Sequence, residues 1–297
     1  MATYKGIQGF SVQKLTTDPG ASSSIGQLWY NSTDAAFKIS VAGTGSWASG
    51  GSLNTARQSP GGSGTQTAAL AMFGGAPLAS LVAETYDGTS WTNTTSGSTG
   101  RESGGSIGQL QTDAAYVGGY GAPSPPLQSA LTEKWNGSAW SESGDLNTGR
   151  SGLAGGAGTT AGGLITGGNI TSAGATETFN GTSWTTVNAL VTPRQYAPTT
   201  GLTSTAAMCV GGYGIPAASP FSNGPGSRVG LTEIWGGTSW TQSANTLNLG
   251  RIAAGLSGTT TAAIISGGST GDPAPPTVNT ATAETWDGTS WTSVASM

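Results

Sequence analysis

Five times along the chain an arginine is followed by a Gly-Gly pair, a glutamate and a tryptophan at almost fixed distances. The arginines are Arg57, Arg101, Arg150, Arg194 and Arg251, and the pairs begin at Gly74, Gly118, Gly167, Gly211 and Gly267, a step of 17 in four cases and 16 in the last. Glu84, Glu133, Glu177, Glu233 and Glu284 each stand 7 residues before Trp91, Trp140, Trp184, Trp240 and Trp291, and the next Arg follows each Trp after 10 or 11. A period near 50 with such internal rigidity means one supersecondary unit copied along an array. Freedom is confined to the stretch between Gly-Gly and Glu, which holds 8, 13, 8, 20 and 15 residues in the five copies.

Each copy reads as four short strands. In the third, Gly152–Ala157 and Ala161–Thr166 are small and apolar, Ala175–Phe179 alternates with period two, and Thr182–Val187 follows an Asn180-Gly181 step. Asn-Gly between alternating runs predicts a tight hairpin with left-handed backbone at both central residues. Asp87-Gly88, Asn136-Gly137, Gly236-Gly237 and Asp287-Gly288 repeat that signal, each between two aromatic residues. Four strands per copy, five copies and no helical pattern predict an all-β, five-bladed β-propeller. A Gly-rich blade buries too little apolar surface to stand alone, and a ring gives every sheet a neighbour.

Composition narrows the chemistry. Gly accounts for 51 of 297 residues, yet 10 Trp and the strict repeat argue for packed structure. Only 8% of residues are charged, the net charge is −4, and no basic stripe exists to replace the counterions of a nucleic acid. There is no His, hence no imidazole base or metal ligand, and the single Cys209 sits in an apolar run as a small hydrophobe. The Met1–Gly6 start lacks the apolar core of a signal peptide, and no run reaches the roughly 18 apolar residues of a membrane span. The expectation is a soluble protein without catalytic residues, metal or cofactor. Of the non-repeat acids, Glu102, Asp113, Glu142 and Asp145 stand in the second copy and Asp272 in the fifth, and their spacing singles out no carboxylate pair for glycoside cleavage.

The order Arg, apolar strand, Gly-Gly, Glu-x-aromatic, Trp over residues 47–297 resembles the kelch repeat. That pattern usually places six residues between its last two aromatics; here there are four, which implies a shorter turn between the third and fourth strands. The resemblance implies a kelch-like propeller, and the copper oxidases that share that ring depend on imidazoles this chain lacks. The repeat Arg and Glu residues are expected to form interblade bridges, against the alternative of a charged central channel that binds a ligand.

Residues 1–46 break the pattern. Gly26–Asp34 and Ala36–Val41 read as a hairpin, and Gly43–Trp47 imitates the end of a repeat 10 residues before Arg57. The segment is expected to be either an incomplete sixth blade or a separate attachment module. Its Gly-Gln-Leu-Trp-Tyr-Asn-Ser-Thr-Asp run resembles a short module of bacteriophage tail-fibre and virion proteins, and the whole chain resembles virion structural proteins of marine bacteriophages. That resemblance implies localisation in the virion after assembly in the host cytoplasm, other virion proteins as partners, an oligomeric state in the particle, and contact with a host receptor or surface glycan. No membrane insertion and no nucleic acid are implied. The residues expected to carry recognition lie in the three long loops: Tyr120, Pro125, Tyr213, Phe221 and Pro275, where proline stiffness and flat aromatic area favour binding.

Overall fold

A computed structural model describes residues 13–16, 28–33, 36–39, 46–75, 79–121, 127–169, 173–214, 228–270 and 278–297. The chain divides into two compact units, Met1–Ser46 and Trp47–Met297. In the first, Leu28–Asn31 and Ala36–Ile39 form an antiparallel hairpin with Tyr30 opposite Phe37. A third strand, Gln13–Leu15, pairs parallel to Leu28–Asn31.

The second unit is a five-bladed β-propeller of antiparallel four-stranded sheets. Blade one comprises Gly61–Thr65, Ala68–Met72, Ala83–Tyr86 and Trp91–Thr94. Blade two comprises Gly105–Leu110, Asp113–Val117, Thr132–Trp135 and Trp140–Glu142. Blade three comprises Ala157–Thr159, Gly162–Thr166, Thr176–Phe179 and Trp184–Val187. Blade four comprises Pro198–Thr203, Ala206–Val210, Thr232–Trp235 and Trp240–Gln242, with Ala154–Gly155 added parallel to its inner strand. Blade five comprises Gly255–Gly258, Ala263–Ser266, Ala283–Trp286 and Trp291–Val294.

Period-two alternation in each second strand decides what packs where. In blade two, Ala114 and Tyr116 join Leu70, Met72 and Phe73 of blade one, while Ala115 and Val117 join Ile165, Phe179 and Trp184 of blade three. The pattern repeats between blades three and four (Leu164 against Ala207 and Cys209) and between four and five (Met208 and Val210 against Ala263 and Ile265). Apolar strands with two buried faces are therefore what the ring demands, and these strands supply them.

The junction between blades five and one is built differently. Among the described residues no apolar cluster spans it. Instead residues 47–53 run along blade one in the place that the exit of a preceding blade takes elsewhere. The indole N–H of Trp140 donates to the carbonyl of Thr95, four residues beyond Trp91, and that of Trp91 donates to Gly51, four beyond Trp47. Trp47 in turn donates to Ala295, four beyond Trp291. Trp47 thus occupies a sixth register position between the last blade and the first, with no sheet of its own in this unit.

Two local readings are corrected. The turns between third and fourth strands are four-residue loops, because Tyr86 pairs with Trp91 and Phe179 with Trp184. Only the Gly has positive φ, 93–95° in four of the loops and 90° in blade four. The Asp or Asn stays right-handed and uses its side chain: Asn180 Oδ1 accepts from the N–H groups of Thr182 and Ser183, and Asp87 Oδ1 does the same for Thr89 and Ser90. A two-residue turn needs left-handed backbone at both centres; the side-chain cap removes that need.

The second correction concerns blade one, where the structural equivalent of Gly-Gly is Phe73-Gly74. In blade two, Gly118 and Gly119 adopt φ of 65° and 102°, and their N–H groups donate to Leu131 and Arg150. Phe73 and Gly74 adopt 56° and 96° and donate to Val82 and Arg101. Leucines after the outer strands explain why a Phe is tolerated: a side chain at Gly118 would meet Leu146, and one at Gly211 would meet Leu247. In blade one the leucine position is Gly97, and a Cβ there would lie 2.4 Å from the Phe73 ring. Large and small side chains have exchanged places.

Candidate recognition face

Because each blade runs antiparallel, the connectors between blades and the loops between second and third strands emerge on one face. The tight four-residue turns emerge on the other. Each long loop starts by pairing with its connector: Tyr120–Gly121 with Arg101–Glu102, Tyr213–Gly214 with Arg194–Gln195, and Ser269 with Ile252. Leu127–Gln128 pairs back onto Tyr120–Gly121, and Val278–Asn279 onto Ser269–Thr270. Rigid stems therefore lead out of a rigid scaffold on this face alone.

The repeat Arg and Glu residues lie beneath it. All five ion pairs form inside a single blade, Arg57–Glu84, Arg101–Glu133, Arg150–Glu177, Arg194–Glu233 and Arg251–Glu284, with every side chain at 0–2% exposure. Arg194 donates from Nη1 to the carbonyls of Gly211 and Leu231, from Nε to Thr192, and from Nη2 to Glu233 at 2.9 Å. The carboxylate accepts two further N–H groups, from Val191 and Thr192. Bridging between blades falls to the arginine's backbone: the N–H of Gly119 in blade two donates to the carbonyl of Arg150, whose side chain serves blade three. Arg150 departs from its sisters. Its three nitrogens make no hydrogen bond, although Nη2 stands 3.1 Å from Glu177. The carbonyl of Ala175, matching one that Arg194 uses, takes the Thr166 hydroxyl instead. Burial lowers the Arg150 pKa, with the Glu177 carboxylate acting in the opposite direction.

Of the loop residues expected to carry recognition, Tyr120 and Tyr213 lie at the loop stems. Tyr120 is 39% exposed opposite Glu102 and Gln128. Tyr213 is half-buried, opposite Gln195 and bridged to Arg228. Pro125, Phe221 and Pro275 lie outside the described residues. Sequence reasoning missed Tyr196. It stands two residues after Arg194 in left-handed backbone, φ 52°, as do Ser59, Ser103, Gly152 and Ala253 after their own arginines. That conformation turns four of the connectors so that Leu153 N–H meets the Ser103 carbonyl, Tyr196 N–H the Gly152 carbonyl and Ala253 N–H the Tyr196 carbonyl, a girdle from blade two to blade five. A non-Gly residue there costs about 1–3 kcal/mol, and Gly152 alone hinted at the position. Burial raises the Tyr196 phenol pKa, with Glu102 and Tyr120 adding to the shift.

Inside the girdle lies a cavity of about 980 Å³. Inner strands of all five blades line it with Gly, Ser, Thr and Ala, together with Tyr196, Leu53 and Trp91. None of the ten repeat Arg and Glu residues lines it, nor any other charged side chain, so the charged-channel alternative is set aside. On the turn face the Gln109 amide crosses from blade two to the Leu202 carbonyl of blade four. Cys209 is fully buried, and desolvation raises its thiol pKa. Among the described residues no three His, Cys, Asp or Glu side chains come together as a metal site. Comparison with protein-family models and with curated proteins returns no match.

Proposed function

We propose that this chain is a non-enzymatic structural protein of a bacteriophage particle, in the tail, a fibre or the surface decoration. Its propeller presents a recognition face, and residues 1–46 attach it. The observation that carries this reading is the separation of constant from variable parts. Every repeated charge is buried in the scaffold, and the three lengthened loops rise from stems on one face. A scaffold that spends its ionisable groups on internal order offers surface and shape rather than acid–base chemistry. The resemblance of the Gly26–Asp34 run to tail-fibre modules supports attachment through the first unit. Imaging of intact particles with labelled protein tests the assignment, since absence from the particle refutes it. Deleting residues 1–46 is expected to abolish incorporation while the ring still folds, and normal incorporation would defeat the attachment role.

A second reading, a lectin-like module for host surface glycans, is favoured by the uncharged lining of the cavity, in which Ser and Thr hydroxyls stand among glycines and apolar side chains. A glycan array separates the two, because a blank array with retained incorporation leaves only the structural role.

A further inference from the structure

We infer that the junction between blades five and one, which no sheet of the propeller fills, is a binding site for an uncharged pyranose, with Trp91 as its stacking platform; this deepens the lectin-like reading. At the four packed junctions a neighbouring blade covers the third-strand aromatic of each pair, Trp135 and Trp235 at 1% exposure, Phe179 at 2% and Trp286 at 3%. Of the fourth-strand aromatics there, only Trp140 stays half-buried as Trp91 does. Tyr86 and Trp91, the pair of blade one, face the junction without a sheet and stay half-buried. Their rings lie 4.9 Å apart, so Tyr86 backs the indole from one side. Residues 47–53 pass over this pair with Gly50 and Gly51, which bring no side chains, and Gly50 comes close to the Tyr86 hydroxyl. Trp91 lines the cavity together with Leu53, Ala69, Ala71 and, from blade five, Ser257, while Leu256 packs toward blade four.

The chemistry around the platform selects the ligand. A sugar ring offers an apolar C–H face for an aromatic plane and a belt of hydroxyls that require donors and acceptors. Gly61–Thr65 and Gly255–Gly258 are the terminal strands of their sheets, so the outer backbone edges of both blades run along the cavity. The Gly62 and Gly258 carbonyls on these edges accept from the Ser106 and Thr200 hydroxyls, so contacts to a sugar hydroxyl fall to the other backbone groups of the two strands. Ser59 adds a hydroxyl group from blade one, whereas the Ser63 hydroxyl donates to the Leu110 carbonyl of blade two. A carboxylated, sulfated or aminated sugar would find no counter-charge among the lining residues, and burying an unpaired charge is costly. The cavity is also of a size typical of small-molecule sites.

The full chain is titrated with the methyl glycosides of glucose, galactose and mannose, with sialic acid and glucosamine as charged comparators, by tryptophan fluorescence and saturation-transfer NMR. At least one neutral glycoside is expected to bind with a millimolar Kd, at least tenfold more tightly than either charged sugar. Trp91→Ala is expected to weaken it tenfold or more. Ala69→Met, which fills the space beside the platform and leaves the aromatic pair in place, is expected to do the same with an unchanged unfolding temperature. No binding by any neutral glycoside, equal binding of charged sugars, or full binding by a folded Ala69→Met protein would each overturn the inference. In the last case the sugar sits elsewhere and the lectin-like reading survives. Incorporation of Ala69→Met into particles reports on the structural assignment separately.

Discussion

The exchange of Phe73 and Gly97 supports a double-mutant cycle with a large expected coupling. Phe73 is fully buried, 4.6 Å from the Tyr116 ring and 5.0 Å from Trp140, and Arg101 Cζ stands 5.3 Å from its centroid. Removing the ring in Phe73→Gly forfeits about 4 kcal/mol through transfer and cavity terms. Release of the non-glycine left-handed backbone returns about 1 kcal/mol. The net cost is about 3 kcal/mol. Gly97→Leu alone drives a side chain into the Phe73 ring, whose nearest atom is 2.4 Å from the added Cβ, and overpacking of this kind costs about 1–3 kcal/mol. The double variant recreates the arrangement of Gly118 with Leu146 and is expected within about 1 kcal/mol of the wild-type protein, a coupling of at least about 3 kcal/mol. Equilibrium denaturation at 25 °C with matched m-values measures all four corners of the cycle. Costs that add, with the double variant the least stable of the four, would refute the claim that the two positions fill one space.

Three further outcomes follow from the same geometry. Arg194→Met is expected to cost about 3–5 kcal/mol, since it strands a buried carboxylate and frees three carbonyls, whereas Arg150→Met should cost about 2 kcal/mol less because its donors are already unbonded; equal losses in a denaturant series would contradict this. Gly236→Asn is expected to raise the unfolding temperature by about 2 °C: residue 236 has no positive φ, a Cβ there meets nothing within 4 Å, and Asn136 and Asn180 cap the sister turns. The carboxylates of Asp87 and Asp287 are held below their ordinary value chiefly by the N–H groups of Ser90 and Ser290, so their stabilisation is present above the unfolded pKa and is lost as pH falls through the folded one. Asp87→Asn with Asp287→Asn should therefore match the parent at neutral pH and lose less stability in acid, and coincident pH–stability curves would show that the caps carry no charge dependence.

How much of this was legible in the residues differs from place to place. Blade count, strand order and the aromatic pairs follow from periodicity, because a strand buried on two faces and a turn glycine leave local marks. The Asn-Gly turns were placed correctly and given the wrong geometry, since sequence does not show that the Asn side chain, rather than its backbone, satisfies the turn. Phe73 escaped because the glycine pair was aligned by spacing, and a one-residue shift in blade one places Gly74-Gly75 at almost the same distance. Tyr196 escaped because its strain comes from a girdle of connectors far apart in sequence. Three of the five loop residues chosen for recognition, Pro125, Phe221 and Pro275, lie outside the described residues; Tyr120 and Tyr213 stand at stems where the loops leave the scaffold.

The chain's own order of residues determined a repeated four-stranded sheet, the pairing partners within it and an interior emptied of free charge, because each of these is decided over a few tens of residues by side-chain size and polarity. Only the assembled ring decided that Trp47 takes a sixth place, that Tyr86 and Trp91 stay half-buried, and that a cavity lies among the five inner strands. Those features depend on how many sheets of a given width fit around one axis, and no single repeat contains that information.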